Sequence, residues 1–414
     1  MLSVLLVVVL GLTPATQPGA SSMTPPPMDQ PQQVTIFSDA NTYACFPEII
    51  RTEEGLVILF HVQDLAAMKA TGKHPHYGPV VQDRFAFQRF GQEGWTVTDE
   101  LPELGKVLDV TRAGAGLDGG GMFQLRRGWV PNADPPTPKP LRVCLCPQGA
   151  ASEEIIIASR GPAPRPPTPF GMVRLADGSF LAAVYGGLSE DQAKPTGTVE
   201  GPEFERDWPK ELGRATAYFL KGSPDGRTWT YLSAMPNHHV FSLGEPNLAV
   251  MDDGRIVCLL RTDWPTHLKD RWPEHVGGNG MTRDGYGWFM YQSQSADGGR
   301  TWSEPAQLPI WGHPPYMLKL QSGNVLLVYG HRRPPWSIRA VLSRDGGRTW
   351  DLSTLKTLRE FKPGNYDLGY PVATQLPDGR IFCAYYGYST PDIELYVPHG
   401  IFATIFSEDW LVGQ

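Results

Sequence analysis

The 414-residue chain has little of the features that mark several common protein classes. Its 5 cysteines are few and scattered, which excludes a small scaffold held together by disulfides. Its formal net charge is −7, so the basic face that nucleic-acid binding needs is not indicated, and no nucleic-acid partner is expected. Helical periodicity is almost absent. The 45 glycines and 40 prolines are instead spread along the chain, which is typical of many short strands joined by turns.

Long apolar runs are also lacking, except at the N-terminus. Residues 2–12 form an apolar run that is too short to span a bilayer but fits the core of a signal peptide. We therefore predict a signal peptide at 1–22, a Pro- and Gln-rich linker at 23–34, and a secreted or periplasmic protein. No membrane insertion is expected after removal of the signal peptide.

A short element recurs along the chain: an apolar run, a polar turn with glycine, and a second apolar run. Examples are NLAVMDDGRIVCLLR (247–261) and PVATQLPDGRIFCAYY (371–386). Five copies are clear, and their turn glycines are Gly55, Gly178, Gly254, Gly323 and Gly379. Such a pattern around a glycine is typical of a β-hairpin. The interval between Gly55 and Gly178 is about twice the others, so we predict a sixth, degenerate hairpin at 114–130.

A second repeated turn follows three of the hairpins: SPDGRTW (223–229), SADGGRTW (295–302) and SRDGGRTW (343–350). Its aspartate can accept backbone N–H groups across the turn, and its glycine permits a positive φ. We expect Trp229, Trp302 and Trp350 to pack between neighbouring units. Four antiparallel strands in each of six units predict an all-β fold, a six-bladed β-propeller over residues 35–414.

Strand direction places both kinds of turn at one end of such a propeller. At the opposite end, here called the mouth, each innermost strand begins and its partner strand ends. The residues predicted at the mouth are rich in cationic and aromatic groups: Glu245, Arg261, His331, Arg332, Arg333, Arg339, Asp367, Tyr370, Tyr386 and His61. Two insertions, 186–214 and 262–287, are expected to overhang it. Because guanidinium groups bind carboxylates bidentately, this composition predicts an anionic substrate.

The Asp turns and hairpins together resemble the Asp boxes, or BNR repeats, of the sialidase superfamily over residues 35–412. The resemblance implies a tyrosine nucleophile, Tyr370, that is activated by Glu245. It implies no cofactor and no metal. It also implies an arginine clamp for the substrate carboxylate, formed by Arg261 and Arg339. Arg332 and Arg333 are alternative assignments for the position of Arg339.

Two positions depart from the family pattern. Cys45, in TYACFPEII, stands where the first arginine of the clamp is expected. For the acid/base aspartate the sequence offers Asp64 and Asp83, and we take Asp64 as the catalytic candidate. The altered clamp favours a related sugar, such as a uronic acid, as much as sialic acid.

We therefore predict a secreted, sialidase-like glycoside hydrolase that acts on an anionic sugar or glycan. One alternative is a polysaccharide lyase, in which Tyr370 or a histidine at the mouth removes a proton beside a uronate. The other is a glycan-binding propeller without catalytic activity.

Overall fold

The computed structural model describes residues 28, 30–71, 82–103, 105–127, 141–157, 168–187, 215–237, 242–263, 289–362, 367–388 and 397–413. The predicted signal peptide and nearly all of the two predicted insertions lie outside the described residues. The described part is mainly β-strand, with two short helices, α1 (Leu65–Thr71) and α2 (Glu408–Val412). Neither helix is long and apolar enough to cross a membrane. The predicted all-β class is confirmed.

Sixteen of the strands form antiparallel sheets of four strands each, paired in chain order. Sheet II contains β7 (Gly114–Gly116), β8 (Met122–Arg126), β9 (Arg142–Cys146) and β10 (Glu153–Ile156). Sheet III contains β11 (Thr168–Arg174), β12 (Phe180–Gly187), β13 (Ala215–Gly222) and β14 (Trp229–Ala234). Sheet IV contains β15 (Ser242–Val250), β16 (Ile256–Asp263), β17 (Phe289–Ser295) and β18 (Ala306–Trp311). Sheet V contains β19 (Pro315–Lys319), β20 (Val325–His331), β21 (Ser337–Ser343) and β22 (Asp351–Glu360).

The remaining described strands form one nine-stranded sheet that joins the two ends of the chain. Meander I within it contains β2 (Thr42–Thr52), β3 (Gly55–Asp64), β4 (Gln82–Arg89) and β5 (Thr96–Thr98), and β6 (Val107–Val110) pairs with β2. Meander VI contains β23 (Gly369–Gln375), β24 (Ile381–Tyr388), β25 (His399–Phe406) and the N-terminal strand β1 (Gln32–Phe37). Strand β1 pairs antiparallel with β25 from Gln32 onward, so the described sheet includes residues of the predicted linker.

The predicted hairpins are present in the described chain. The antiparallel pairs are β2–β3, β7–β8, β11–β12, β15–β16, β19–β20 and β23–β24. The degenerate copy at 114–130 is the pair β7–β8. The turn glycines Gly254 and Gly379 have φ values of 79° and 85°, a region in which a side chain would be strained.

The Asp turns hold the chain locally, as predicted. Oδ1 of Asp297 accepts hydrogen bonds from the backbone N–H groups of Arg300 and Thr301 at 3.0 and 2.9 Å. Trp302 stacks on Phe219 of the neighbouring sheet III, with ring centroids 4.1 Å apart. The residues of these turns therefore fasten one sheet to the next and are not placed for catalysis.

The hairpin turns and the Asp turns meet at the same end of the sheets. Arg348, in the third Asp turn, donates to Asp253 in the β15–β16 hairpin turn at 2.7 Å. In the C-terminal FSEDW sequence (406–410), Phe406 ends β25 and Glu408 begins α2. Oγ of Ser407 caps this helix by accepting from the N–H of Trp410 at 3.2 Å. The mouth is therefore at the opposite end, where the innermost strands begin.

Candidate active site

Three innermost strands carry the same irregularity at the mouth, and each irregularity is an X-Pro dipeptide. The dipeptides are Phe46–Pro47 in β2, Glu245–Pro246 in β15 and Tyr370–Pro371 in β23. In each strand the two residues face a single residue of the partner strand, which defines a β-bulge. Proline has no N–H to give to the ladder, so it suits this position. The bulge re-aims the residue before each proline.

These re-aimed residues have an unusual backbone conformation. Phe46, Glu245 and Tyr370 have positive φ values of 54°, 46° and 47°. Arg112, just before β7, has a φ of 62°, and these are the four non-glycine residues of the described chain in this region. Each such residue costs on the order of 1–3 kcal/mol, and such residues cluster at functional sites. The backbone therefore marks this end of the sheets as the candidate site.

Tyr370 and Glu245 meet directly. The Tyr370 hydroxyl donates a hydrogen bond to Oε1 of Glu245. The same oxygen accepts from Nη1 of Arg261 at 2.9 Å, and that nitrogen lies 3.4 Å from the Tyr370 oxygen. Glu245 is only 5% exposed, and its second oxygen, Oε2, is buried without a hydrogen-bond partner among the described residues. The phenol, the carboxylate and the guanidinium thus contact one another, and Oε2 of Glu245 remains as a buried acceptor.

The surroundings of Tyr370 keep its phenol protonated. Burial and then the negative charge of Glu245 raise the pKa of Tyr370 well above its usual value, against smaller opposing effects of Arg261 and Arg332. A phenolate is therefore not preformed at neutral pH. Any attack by the Tyr370 oxygen requires transfer of its proton to the carboxylate during the reaction.

Three arginines surround the Tyr370 side chain. Arg261 contacts its hydroxyl, as described above. The guanidinium carbon of Arg112 lies 5.2 Å from the centre of the Tyr370 ring, and that of Arg332 lies 5.5 Å from it. Arg332 is 6% exposed and also donates to the hydroxyl of Tyr386 at 3.4 Å. A cationic environment therefore surrounds a buried tyrosine and its carboxylate.

Arg112 was not among the site residues predicted from the sequence. Its Nη2 donates to the backbone carbonyl of Tyr370 at 2.7 Å, and its guanidinium also lies over the ring of Phe170, 5.0 Å from the centre. Arg112 enters sheet II, whose hairpin is the degenerate copy, so the repeat gave no alignment for it. The Cys45 thiol, at the place expected for an arginine, is 2% exposed and supplies no cation.

Aromatic side chains line the same region. The ring of Phe46 lies 4.5 Å from that of Tyr370 and 5.3 Å from that of Tyr386, both edge to face. Phe170, at a bulge in β11, lies 6.1 Å from the ring of Tyr370. Phe46 and Phe170 were not predicted as site residues. Such rings suit the apolar faces of a sugar.

Asp367 and Tyr386 lie under the site rather than on it. Asp367 is 4% exposed and accepts hydrogen bonds from the hydroxyls of Tyr43 at 2.5 Å and Tyr386 at 2.7 Å. Its backbone carbonyl lies 2.9 Å from Nε2 of His399. The carboxylate of Asp367 is therefore occupied by two tyrosines and holds Tyr386 beneath Tyr370, while its role in substrate binding stays a prediction.

Three further predicted binding residues do not join Tyr370. His331, Arg333 and Arg339 form a separate group beside Trp311. Of the rival positions for the third arginine, only Arg332 reaches the Tyr370 ring. The position of Arg332 favours it over Arg339 as the third arginine at Tyr370.

A polar cluster occupies the mouth between meander I and sheet II. Nδ1 of His61 lies 2.8 Å from Oδ1 of Asp83, whose other oxygen accepts from Nη1 of Arg126 at 2.9 Å. Burial alone would raise the pKa of Asp83, but the hydrogen bond from His61 and the charge of Arg126 hold it well below its usual range. Phe46 links this cluster to the site, because its ring lies 6.4 Å from the His61 ring and 4.5 Å from that of Tyr370.

Asp64 has a structural task. It is exposed at the end of β3, and its Oδ1 accepts from the N–H of Ala67 at 2.8 Å in the first turn of α1. A carboxylate in this position stabilises the start of a helix. Asp64 therefore caps a helix, and its assignment as the catalytic acid stays a prediction.

Some histidine and aromatic residues of the chain lie outside the described residues. These include the histidines of the 72–81 and 238–241 segments and the aromatic residues of the 264–288 segment. Within the described part of the chain, no group of three or more His, Cys, Asp or Glu side chains is arranged to hold a metal ion.

Part of the chain is similar to a known domain family. Residues 279–383 match the model of the BNR repeat-like domain. No curated protein sequence is significantly similar to the chain. The match spans β17 to β24 and therefore includes two of the three Asp turns and Tyr370.

Solved structures are similar over nearly the whole chain. A protein of unknown function from Dyadobacter fermentans is 20% identical, with a TM-score of 0.67 over 91% of this chain and 97% of its own. The intramolecular trans-sialidase from Ruminococcus gnavus is 13% identical, with a TM-score of 0.54 over 92% and 98% of the two chains. The leech intramolecular trans-sialidase is 12% identical, with a TM-score of 0.51 over 92% and 70%. At these identities the likeness shows the fold alone. Together with the BNR repeat-like match at residues 279–383, it supports the resemblance to the sialidase superfamily.

Proposed function

We propose that this protein is a glycoside hydrolase that cleaves an anionic sugar from a glycan, on a six-bladed propeller that meanders I and VI and sheets II to V form. The observation that carries the proposal is the hydrogen bond from the Tyr370 hydroxyl to Glu245, with Arg112, Arg261 and Arg332 around the phenol. Sialidases, whose fold this chain shares, are glycosidases with a tyrosine nucleophile. The likeness in fold supports the reaction class, and the side-chain contacts support the roles.

The first chemical step is attack by the Tyr370 oxygen on the anomeric carbon. The Tyr370 proton passes to Glu245 as the new C–O bond forms and the glycosidic C–O bond breaks. Arg261 stabilises the charge that develops on both oxygens, because it contacts both. A neutral phenol avoids the repulsion that a carboxylate nucleophile would meet at an anionic sugar. Water then releases the sugar from Tyr370, and Glu245 returns the proton to the phenolate.

The leaving oxygen needs a proton donor, and His61 is the group we assign. Its Nδ1 contacts the Asp83 carboxylate, which orients the ring. The half-buried ring lies next to Phe46, which itself contacts Tyr370. Protonated His61 gives its proton to the leaving oxygen, and neutral His61 then takes one from the attacking water. Asp83 cannot serve as the acid itself, since its pKa lies well below its usual range.

Replacing His61 with Gln is expected to lower kcat on a natural glycan by about 10²- to 10⁴-fold, the typical contribution of general acid catalysis. An aryl glycoside with a nitrophenolate leaving group needs no protonation, so its cleavage should fall much less. Steady-state kinetics on both substrates measures the difference. Asp64→Ala is the matched control and should keep full turnover. It should lose only about 1 kcal/mol of stability, the usual value of a helix cap.

Equal losses of H61Q on both substrates would remove His61 from the role of proton donor. If H61Q is active and the separate variant Glu48→Gln is inactive, the role of proton donor would pass to Glu48. Glu48 lies in the same cluster and accepts a hydrogen bond from Gln124 at 2.6 Å. Loss of turnover in Asp64→Ala without loss of folded protein would support the assignment that was made from the sequence.

A panel of glycans tests the proposed function as a whole. The panel contains sialosides, hexuronate glycosides and neutral glycosides, with product analysis by chromatography and by absorbance in the near ultraviolet. Release of an acidic monosaccharide is the expected result. A product that absorbs in the near ultraviolet would show a new double bond and hence the lyase reaction, whereas binding without any turnover would leave a glycan-binding protein.

We also propose export of the chain, because the apolar run at residues 2–12 fits a signal peptide. N-terminal sequencing of the protein from its own cells should begin near residue 23. A mature protein that begins at residue 1 would contradict export by this route.

A further inference from the structure

A second cationic group lies at the mouth, on the other face of sheet V from Tyr370. Tyr329 and Val341 of sheet V pack with Met290 of sheet IV, whereas Val328 and Ala340 pack in the core shared with meander VI. Side chains alternate between the faces of a strand. His331 is two residues after Tyr329 in β20 and so lies on the same face of the strand. Arg339 pairs directly with Tyr329 on the neighbouring strand β21. Both therefore face sheet IV.

Arg333 joins these two residues. Its guanidinium carbon lies 4.3 Å from the centre of the Trp311 ring, at the end of β18, and its Nε donates to Nε2 of His331 at 3.4 Å. The ring of His331 lies 5.4 Å from that of Trp311. Arg339 donates from Nε to Oγ of Ser337 at 3.2 Å. Among the described residues, no carboxylate pairs with Arg333 or Arg339, although most other arginines of the sheets have such a partner.

The electrostatics of this group are unfavourable without an anion. Burial and the charge of Arg339 lower the pKa of Arg333. Burial, followed by the charge of Arg339, lowers the pKa of His331 to about 4, so the imidazole is neutral at pH 7. Two guanidinium groups are thus held together with a neutral histidine and an indole. A bound anion would relieve their repulsion and accept their remaining N–H groups.

We propose that Arg333 and Arg339 form a second anion subsite, which holds an acidic group of the sugar next to the one that is cleaved. The inference rests on the proposed function and specifies its substrate as a glycan with at least two neighbouring acidic groups. Arg332 and Arg333 are consecutive, and they contact Tyr370 and Trp311 respectively. One short stretch of chain therefore serves two adjacent subsites. Carboxylate and sulfate groups share the chemistry that such a subsite recognises.

Equilibrium binding tests the subsite without any need for turnover. The probes are a hexuronate disaccharide, its analogue with the second carboxylate reduced to the alcohol, and an analogue with an O-sulfate in its place. Isothermal titration calorimetry compares the wild type with Arg333→Gln, Arg339→Gln and the control Arg344→Gln, an exposed arginine in the third Asp turn. The two subsite variants should weaken the dianionic probes by roughly 10- to 100-fold, the usual worth of a charged hydrogen bond. The reduced probe should bind all four proteins equally.

Preference of the wild type for the sulfated or the carboxylated probe identifies the natural group. The proposal is overturned if the wild type binds the reduced and dianionic probes with equal affinity. It is also overturned if the wild type binds neither. An equal loss of all three probes in R333Q and R339Q overturns it as well. If the dianionic probes bind tightly but are never cleaved, the subsite proposal is supported. Only the proposed hydrolase activity is then contradicted.

Discussion

Replacing Tyr370 with Phe is expected to abolish turnover, with a loss in kcat of at least about a thousandfold, while substrate binding is retained. The variant removes only the oxygen that attacks the anomeric carbon. The ring keeps its edge-to-face contact with Phe46 and its two guanidinium neighbours, Arg112 and Arg332. Dissociation constants from calorimetry and kcat from product release, measured on the same preparation, separate the two effects.

Tyr218→Phe is the matched control for this substitution. Tyr218 is a buried tyrosine of sheet III whose hydroxyl has no hydrogen-bond partner among the described residues, so its loss should leave both kcat and binding unchanged. Full activity of Tyr370→Phe would exclude Tyr370 as the nucleophile. A parallel loss of binding and of folded protein would instead give Tyr370 a structural role.

Glu245→Gln is expected to lower kcat by about 10²- to 10⁴-fold, because the amide cannot take the proton of Tyr370. It also leaves Arg261 without the carboxylate that it contacts at 2.9 Å. In the double variant with Tyr370→Phe, the two losses should not add, since a nucleophile and its base act as one unit. Kinetics of the wild type, the two single variants and the double variant give the coupling.

Independent losses in this cycle would contradict the pairing of Tyr370 and Glu245. A thermal melt of each variant provides the control for folding. Arg261→Lys offers a further comparison, because an ammonium group keeps the charge but cannot reproduce the contacts of the planar guanidinium with both oxygens.

Much of the fold could be predicted from the sequence, because the same hairpin and Asp-turn motifs recur along the chain. Each hairpin has its own glycine turn, and each Asp turn has its own hydrogen bonds, so short segments predict their structure without knowledge of their neighbours. Strand direction then placed Glu245, Arg261 and Tyr370 at one end, and the structure brings these three together. The helix α2 was missed, because the FSEDW segment has the composition of an Asp turn but uses its serine as a cap.

One signal for the site was present in the sequence and was not used. Phe46, Glu245 and Tyr370 each stand before a proline, nine positions ahead of Gly55, Gly254 and Gly379. Aligning the hairpins on these glycines would have grouped the three bulges and identified Phe46. Arg112 was harder to find, because its hairpin is short and degenerate and no proline follows it.

Other differences between expectation and structure came from side-chain direction, which sequence position alone does not give. Arg332 and Arg333 are adjacent, yet one lies over Tyr370 and the other over Trp311. Asp367 stands at the start of an innermost strand, as a binding residue would, but its carboxylate faces the buried hydroxyls of Tyr43 and Tyr386. Which face a residue occupies depends on the bulge register and on packing between sheets.

The stereochemistry of the first product tests the central claim most directly. With an acidic glycoside that the panel identifies as a substrate, ¹H NMR during the first turnovers reports the anomeric configuration and any olefinic proton. Attack by Tyr370 and then by water inverts the anomeric carbon twice, so the account predicts a product of retained configuration without a double bond. A first product of inverted configuration, or a signal from an unsaturated uronate, would contradict the role of Tyr370 as nucleophile.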